Sequence, residues 1–218
     1  MMDAQPLGRV NLFVPKDWFD LLSDGMNREA TRSRCADIVR RTYPTVPGHR
    51  QDQFVDALME WHTTLLTSGV LLYGIVSAPL PEEPETAVNW QVMAGVIDVP
   101  NLSADVDLGA LLSQAYGARM EGPSYQESFT TDMGIGFGFI SQPVVGPRDG
   151  SDSSGATIGL VGALSCPPGG RQGLLVIGIS LTPEHVWELA GLVSAIAGRS
   201  TFEEPPLDSV AVSREPDQ

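Results

Sequence analysis

Few side chains in this sequence stand at spacings that could do chemistry. His49, His62 and His185 show no metal-ligand spacing, so a zinc-hydrolase helix is excluded. Lys16 is the only lysine. It lies in Pro15-Lys16-Asp17-Trp18 and not in the Gly-Lys-Ser/Thr that a phosphate-binding loop requires. No Gly-x-Ser-x-Gly turn is present to expose a nucleophilic serine, although a Ser-His-Asp triad assembled from distant segments would leave no local mark. Two cysteines cannot build a four-thiolate zinc site. Cys35 falls on the apolar side of a helical stretch and reads as a small hydrophobe. Cys166 precedes Pro167-Pro168 and reads as an exposed turn thiol, with Arg171 the only nearby cation to activate it. The pairs Asp105/Asp107 and Glu203/Glu204 suit a helix dipole and a solvated tail respectively, without any catalytic duty.

Two clusters remain. In Gly134-Ile135-Gly136-Phe137-Gly138-Phe139 the glycines recur at every second residue and no helix follows, so this is not a dinucleotide loop. The spacing describes a strand with a glycine face, which Gly159, Gly162 and Gly178 extend on later strands. Such a face permits close approach of a packed helix; alternatively it floors a ligand pocket lined by Gly134, Gly136 and Gly138. The second cluster is Arg28, Arg32, Arg34, Arg40 and Arg41, five arginines within 14 residues that contain only Glu29 and Asp37 as acids. It is either a solvated helix face or a docking surface for an acidic partner, because guanidinium forks bind carboxylates well.

The elements that position these residues follow from periodicity. Val10, Leu12 and Val14 alternate over a strand from Arg9 to Val14, which Pro15 closes. A helix fits Asn27 to Arg41, capped by Asn27, with Thr31, Cys35, Ile38 and Val39 as its stripe. A second fits Gln51 to Thr67, with Phe54, Leu58, Trp61 and Leu65 at helical spacing. Strands are expected over Gly69 to Ala78 and Val88 to Val99, the latter with Trp90, Val92, Ala94 and Val96 on one face. A helix opens at Ser103 with Leu108, Leu111, Leu112 and Ala115 as its stripe. Strands then run over Met133 to Val145, Thr157 to Ser165 and Gln172 to Leu181. The last helix begins at Thr182-Pro183 and buries Val186, Leu189, Val193 and Ile196, widened by Trp187 and Leu192. Consecutive strands with short turns imply antiparallel pairing, hence an α+β fold with a mostly antiparallel sheet packed by helices.

At 218 residues, 42% of them hydrophobic, the chain fits a single domain over 1–202, followed by an acidic tail over 203–218. The net charge of −14 makes nucleic-acid phosphates and anionic lipid headgroups poor partners. No apolar run approaches a membrane span, and the first residues lack a secretory pattern, so a cytoplasmic setting with reduced thiols is the simplest reading.

The run Val14-Pro15-Lys16-Asp17-Trp18, the helix pair feeding a sheet, and the closing strand–helix ending at Ser200-Thr201-Phe202 together make a recognisable pattern. In these the chain resembles a group of actinobacterial cytoplasmic proteins with a PsbP-like α/β/α sandwich. That fold is shared with a Ran-binding nuclear import factor and with photosystem accessory proteins. The resemblance implies a binding or assembly role rather than catalysis, and it carries over no functional residues. The expectation is therefore a non-enzymatic protein-interaction or assembly factor of a bacterial cytoplasmic complex, without cofactor or metal. It would present a sheet edge or the arginine-bearing helix to a protein partner. The alternative is a small-molecule-binding protein or enzyme with its pocket over the glycine-lined face.

Overall fold

The computed structural model describes residues 9–15, 18–79, 87–99, 124–145 and 156–203. The helix expected from Ser103, most of the connection at 147–156 and the tail beyond 203 lie outside them, as does most of the segment 80–87.

Asn27 caps α1 (Arg28–Thr42), its side chain accepting from the Ala30 N–H at 3.2 Å. Thr31, Cys35 and Val39 form the buried face, as their spacing requires. After a short connection, α2 (Gly48–Thr67) runs back against α1. Its buried residues are Val55, Met59, His62 and Leu65, so the Phe54–Leu58–Trp61 stripe read from the sequence is corrected by about one position. A step of one residue turns a helix by about 100°, and here the slimmer Val55 and Met59 enter the core with α1. Phe54 and Trp61 are left on the shoulder.

Most of the sheet comprises β2 (Phe19–Asp20), β3 (Val70–Pro79), β4 (Ala87–Asp98), β5 (Ser124–Thr131), β6 (Gly134–Ser141), β9 (Gly159–Cys166) and β10 (Gln172–Ser180). Their order is β2-β3-β4-β10-β9-β6-β5, and every neighbouring pair is antiparallel. Two short ribbons flank it. In one, β1 (Val10–Asn11) pairs with β11 (Thr201–Phe202); in the other, β7 (Val144–Val145) pairs with β8 (Ala156–Thr157). The first strand is thus two residues, shorter than the expected Arg9 to Val14. Beyond it the Phe13 N–H leaves the ladder for the Ser200 hydroxyl at 2.9 Å. The expected strand Met133 to Val145 is likewise divided, and Pro143 stands in the gap between β6 and β7.

α3 (Val186–Arg199) follows a tight turn at Pro183–His185 and packs on one sheet face. Its Val186, Leu189, Val193 and Ile196 form one core with Val92, Ala94, Val161, Ala163, Leu174 and Val176. Trp187 does not widen that face as expected. It is exposed and lies against Tyr125 of β5 with ring centroids 5.7 Å apart. The opposite face carries Tyr73, Ile75 and Met93 under α1 and α2, and a second buried group around Phe137, Phe139, Leu164 and Ile177. Helices on both faces of a mostly antiparallel sheet make the fold α+β, as the strand runs predict.

Candidate ligand cavity

The aromatic shoulder of α2 does not close onto the sheet. Between Phe54, Leu58 and Trp61, the C-terminal half of α1, and the β3–β4 pair lies a cavity of about 580 Å³. That volume is within the usual range of small-molecule sites, roughly 300–1,000 Å³. Tyr73 and Ile75 come from β3, Asn89 and Gln91 from β4, Ile38, Val39 and Thr42 from α1, and Tyr43 from its C-cap. Among the described residues none that lines the cavity is charged.

Tyr73, only 7% exposed, belongs to the wall that the sheet contributes. It pairs directly with Met93, which puts it diagonal to Gln91 on the same face, and its hydroxyl donates to Gln91 Oε1 at 2.7 Å. Burial pushes the Tyr73 phenol above the ordinary 10, with the Trp61 indole pulling in the opposite direction. The phenol therefore stays neutral and keeps its proton for this bond. Trp61 meets Tyr73 edge-on, with centroids 6.0 Å apart and planes at 73°. Tyr43 and Phe54 form a second ring pair at 5.2 Å, joining the end of α1 to the first half of α2. Around the opening Tyr43, Phe54, Trp61 and Leu181 remain 43%, 42%, 44% and 62% exposed.

Local bonds hold the walls. Gln51 Nε2 donates to the carbonyls of Tyr43 and Val46 at 2.9 and 3.0 Å, fixing the turn between the helices. Arg32 reaches Asp56 across the helix pair at 2.8 Å. His62 is buried on α2, with Nε2 3.1 Å from the Gly25 carbonyl, so its ring is satisfied within the fold.

The arginines singled out from the sequence are mostly engaged within the chain. Arg34 bonds Asp24 at 2.8 Å, the Asp20 carbonyl at 2.9 Å and the Ser23 hydroxyl, and stacks over Phe19 at 4.9 Å. Arg40 pairs with Asp37 at 2.9 Å, and Arg41 contacts the Asp37 carbonyl at 3.4 Å. Arg28 is exposed at the start of α1.

Gly136 and Gly138 lie on the α3 side of the sheet, the face opposite the cavity. A Cβ on Gly136 would stand 2.6 Å from Thr131 Cγ2 and 2.8 Å from the Phe129 ring, so β5 side chains fill the space the glycine leaves. Gly134, at φ +138°, turns the β5–β6 hairpin in a conformation other residues rarely adopt. Gly178 and Gly159 receive α3 through Val193 and Val186, whereas Gly162 pairs with Ile177 and Phe139 on the other face.

Cys166 is not an exposed turn thiol. The strand continues through it, it is fully buried opposite Ile135, and burial pushes its thiol up to about 11. Cys35 is buried as expected, and desolvation raises its thiol too, against the lowering effect of Arg34 and Arg32. Among the described residues no three His, Cys, Asp or Glu side chains gather to hold a metal, and no helix is long and apolar enough to cross a membrane.

No family model matches the chain, and neither a curated protein nor a solved structure is similar to it. The cavity therefore has to be read from its own chemistry. Sequence reasoning placed Phe54 and Trp61 in the core and Tyr43 nowhere. The available signal was an excess of rings: Tyr43, Phe54, Trp61 and Tyr73 are more aromatic surface than one helix stripe needs.

Proposed function

We propose that this protein binds a small, largely apolar molecule in the cavity between α1–α2 and β3–β4. One observation carries the reading. Four large apolar side chains, Tyr43, Phe54, Trp61 and Leu181, stay exposed around a single uncharged hollow. Singly exposed apolar residues are ordinary, but a contiguous set bordering a concave site marks binding.

The test uses N-phenyl-1-naphthylamine, a neutral fluorophore that brightens in apolar surroundings. The expected result is saturable enhancement that the double substitution Phe54→Ala/Trp61→Ala removes while thermal unfolding stays cooperative. No saturable enhancement, or an unchanged response in the variant, would overturn the reading.

A protein-partner role has its own support in β5, which ends the sheet on one side and is exposed from Ser124 to Ser128. The Tyr125–Trp187 ring pair stands beside it. The arginine helix supports that role less, because Arg32, Arg34 and Arg40 already hold the chain's own carboxylates. Introducing charge at Tyr125 and Trp187 (each to Glu) should release a co-purifying partner if the edge is the docking surface; retention would dismiss it.

A further inference from the structure

Resting on the cavity reading, we infer that its ligand is a neutral ring compound carrying one hydroxyl or carbonyl group, which Gln91 and Tyr73 recognise. Three observations define that chemistry.

Neutrality follows from the walls. Among the described residues no charged side chain lines the cavity. An ionic ligand would surrender hydration there and meet no counter-charge. An anion would in addition enter against the field of a molecule at −14.

Rings follow from the lining. Tyr43, Phe54, Trp61 and Tyr73 come from three different elements, and their two contacts are tilted and edge-on. This leaves ring faces open to a flat guest.

The single polar group follows from the Tyr73–Gln91 bond. The phenol proton is committed to Gln91 Oε1 at 2.7 Å. The phenol oxygen is already addressed by the Trp61 indole, whereas the Gln91 amide keeps its N–H donors. A ligand hydroxyl or carbonyl can accept from those donors. Asn89 on the same face of β4 adds a further amide at the edge of the site.

Displacement of N-phenyl-1-naphthylamine by four naphthalene derivatives tests this on the full chain. 2-Naphthol should displace the fluorophore. 2-Naphthoate and 2-naphthylmethylammonium should be weaker by about tenfold or more, reflecting uncompensated charge. Plain naphthalene should bind roughly fivefold to tenfold more weakly than the naphthol, the worth of a good hydrogen bond. Gln91→Leu should erase the difference between naphthol and naphthalene without weakening naphthalene. Tyr73→Phe, which keeps the ring, should reduce the same difference and serves if Gln91→Leu fails to fold. Equal displacement by the charged compounds, or an unchanged naphthol preference in both variants, would overturn this inference while leaving the cavity reading intact. Failure of the fluorophore itself to bind would instead remove the cavity reading.

Discussion

Cys166 shows how far a side chain's chemistry depends on one turn of chain. Next to Pro167-Pro168 it looked exposed, yet its thiol is sealed in the sheet and its proton is held more tightly than usual. The thiolate is the reactive form, so neither Cys166 nor Cys35 should react with a disulfide reagent at pH 8 in the native protein. Both should react together in denaturant; rapid labelling of the folded chain would contradict the burial. The linkage has a definite sign. A group held at about 11 when folded, against its ordinary 9.0, keeps its proton in the native state where the unfolded chain has lost it. Its stabilising effect is complete below about pH 9 and is lost as pH rises toward 11. The Tyr73 phenol, raised above 10, pushes in the same direction at the upper end of that range. Thermal midpoints should therefore fall steeply between pH 9 and 11, and Cys166→Ala should flatten that fall, although it lowers the midpoint at pH 7.

Among the elements, the roll of α2 decides between core and cavity. Met59→Ala removes a fully buried side chain and should cost about 2–5 kcal/mol in denaturant unfolding. Phe54→Ala and Trp61→Ala should each cost well under half of that, because those rings are more than two-fifths exposed. The reverse order would restore the stripe read from periodicity. The Arg32–Asp56 bridge between the helices is half-exposed on both sides and should contribute only about 0–1 kcal/mol, measured by a double-mutant cycle. On the other face α3 sits tightly on β10. A Cβ at Gly178 would stand 2.7 Å from Val193 and 2.9 Å from Leu189, both buried. Gly178→Val should therefore destabilise by about 1–3 kcal/mol through overpacking, and more if the helix cannot shift. Because the cavity lies across the sheet from α3, protein that remains folded should keep its fluorophore affinity.

For the molecule as a whole, ligand binding and stability are one equilibrium. A compound that occupies the cavity only in the folded state adds stability by mass action, about 2.7 kcal/mol at a hundred times its dissociation constant. 2-Naphthol should thus raise the thermal midpoint in proportion to the logarithm of its concentration, and 2-naphthoate should need about tenfold more, or greater, for the same rise. The charge of −14 opposes compaction through self-repulsion. Moderate salt should then raise the midpoint even without ligand, since a Debye length near 8 Å at physiological ionic strength screens charges spread over the surface.

Much of the fold was legible because its signals are local. Asn27 marks the start of α1, Thr182-Pro183 foreshadows α3, and alternation along Trp90, Val92 and Ala94 identifies β4 and its α3-side face. These depend on caps and on the periods of helix and strand, which neighbouring residues carry by themselves. β5 was missed because an exposed edge strand such as Ser124–Thr131 needs little apolar content. The roll of α2, the burial of Cys166 and the fate of the glycines could not be settled along the chain. Periodicity says that a helix has an apolar side, but the volume of the partner decides which residues of that side enter the core. The cavity is the result of that decision. Its rings come from α1, α2 and β3, its amides from β4, and only the packing of the helix pair on the sheet leaves an uncharged space between them.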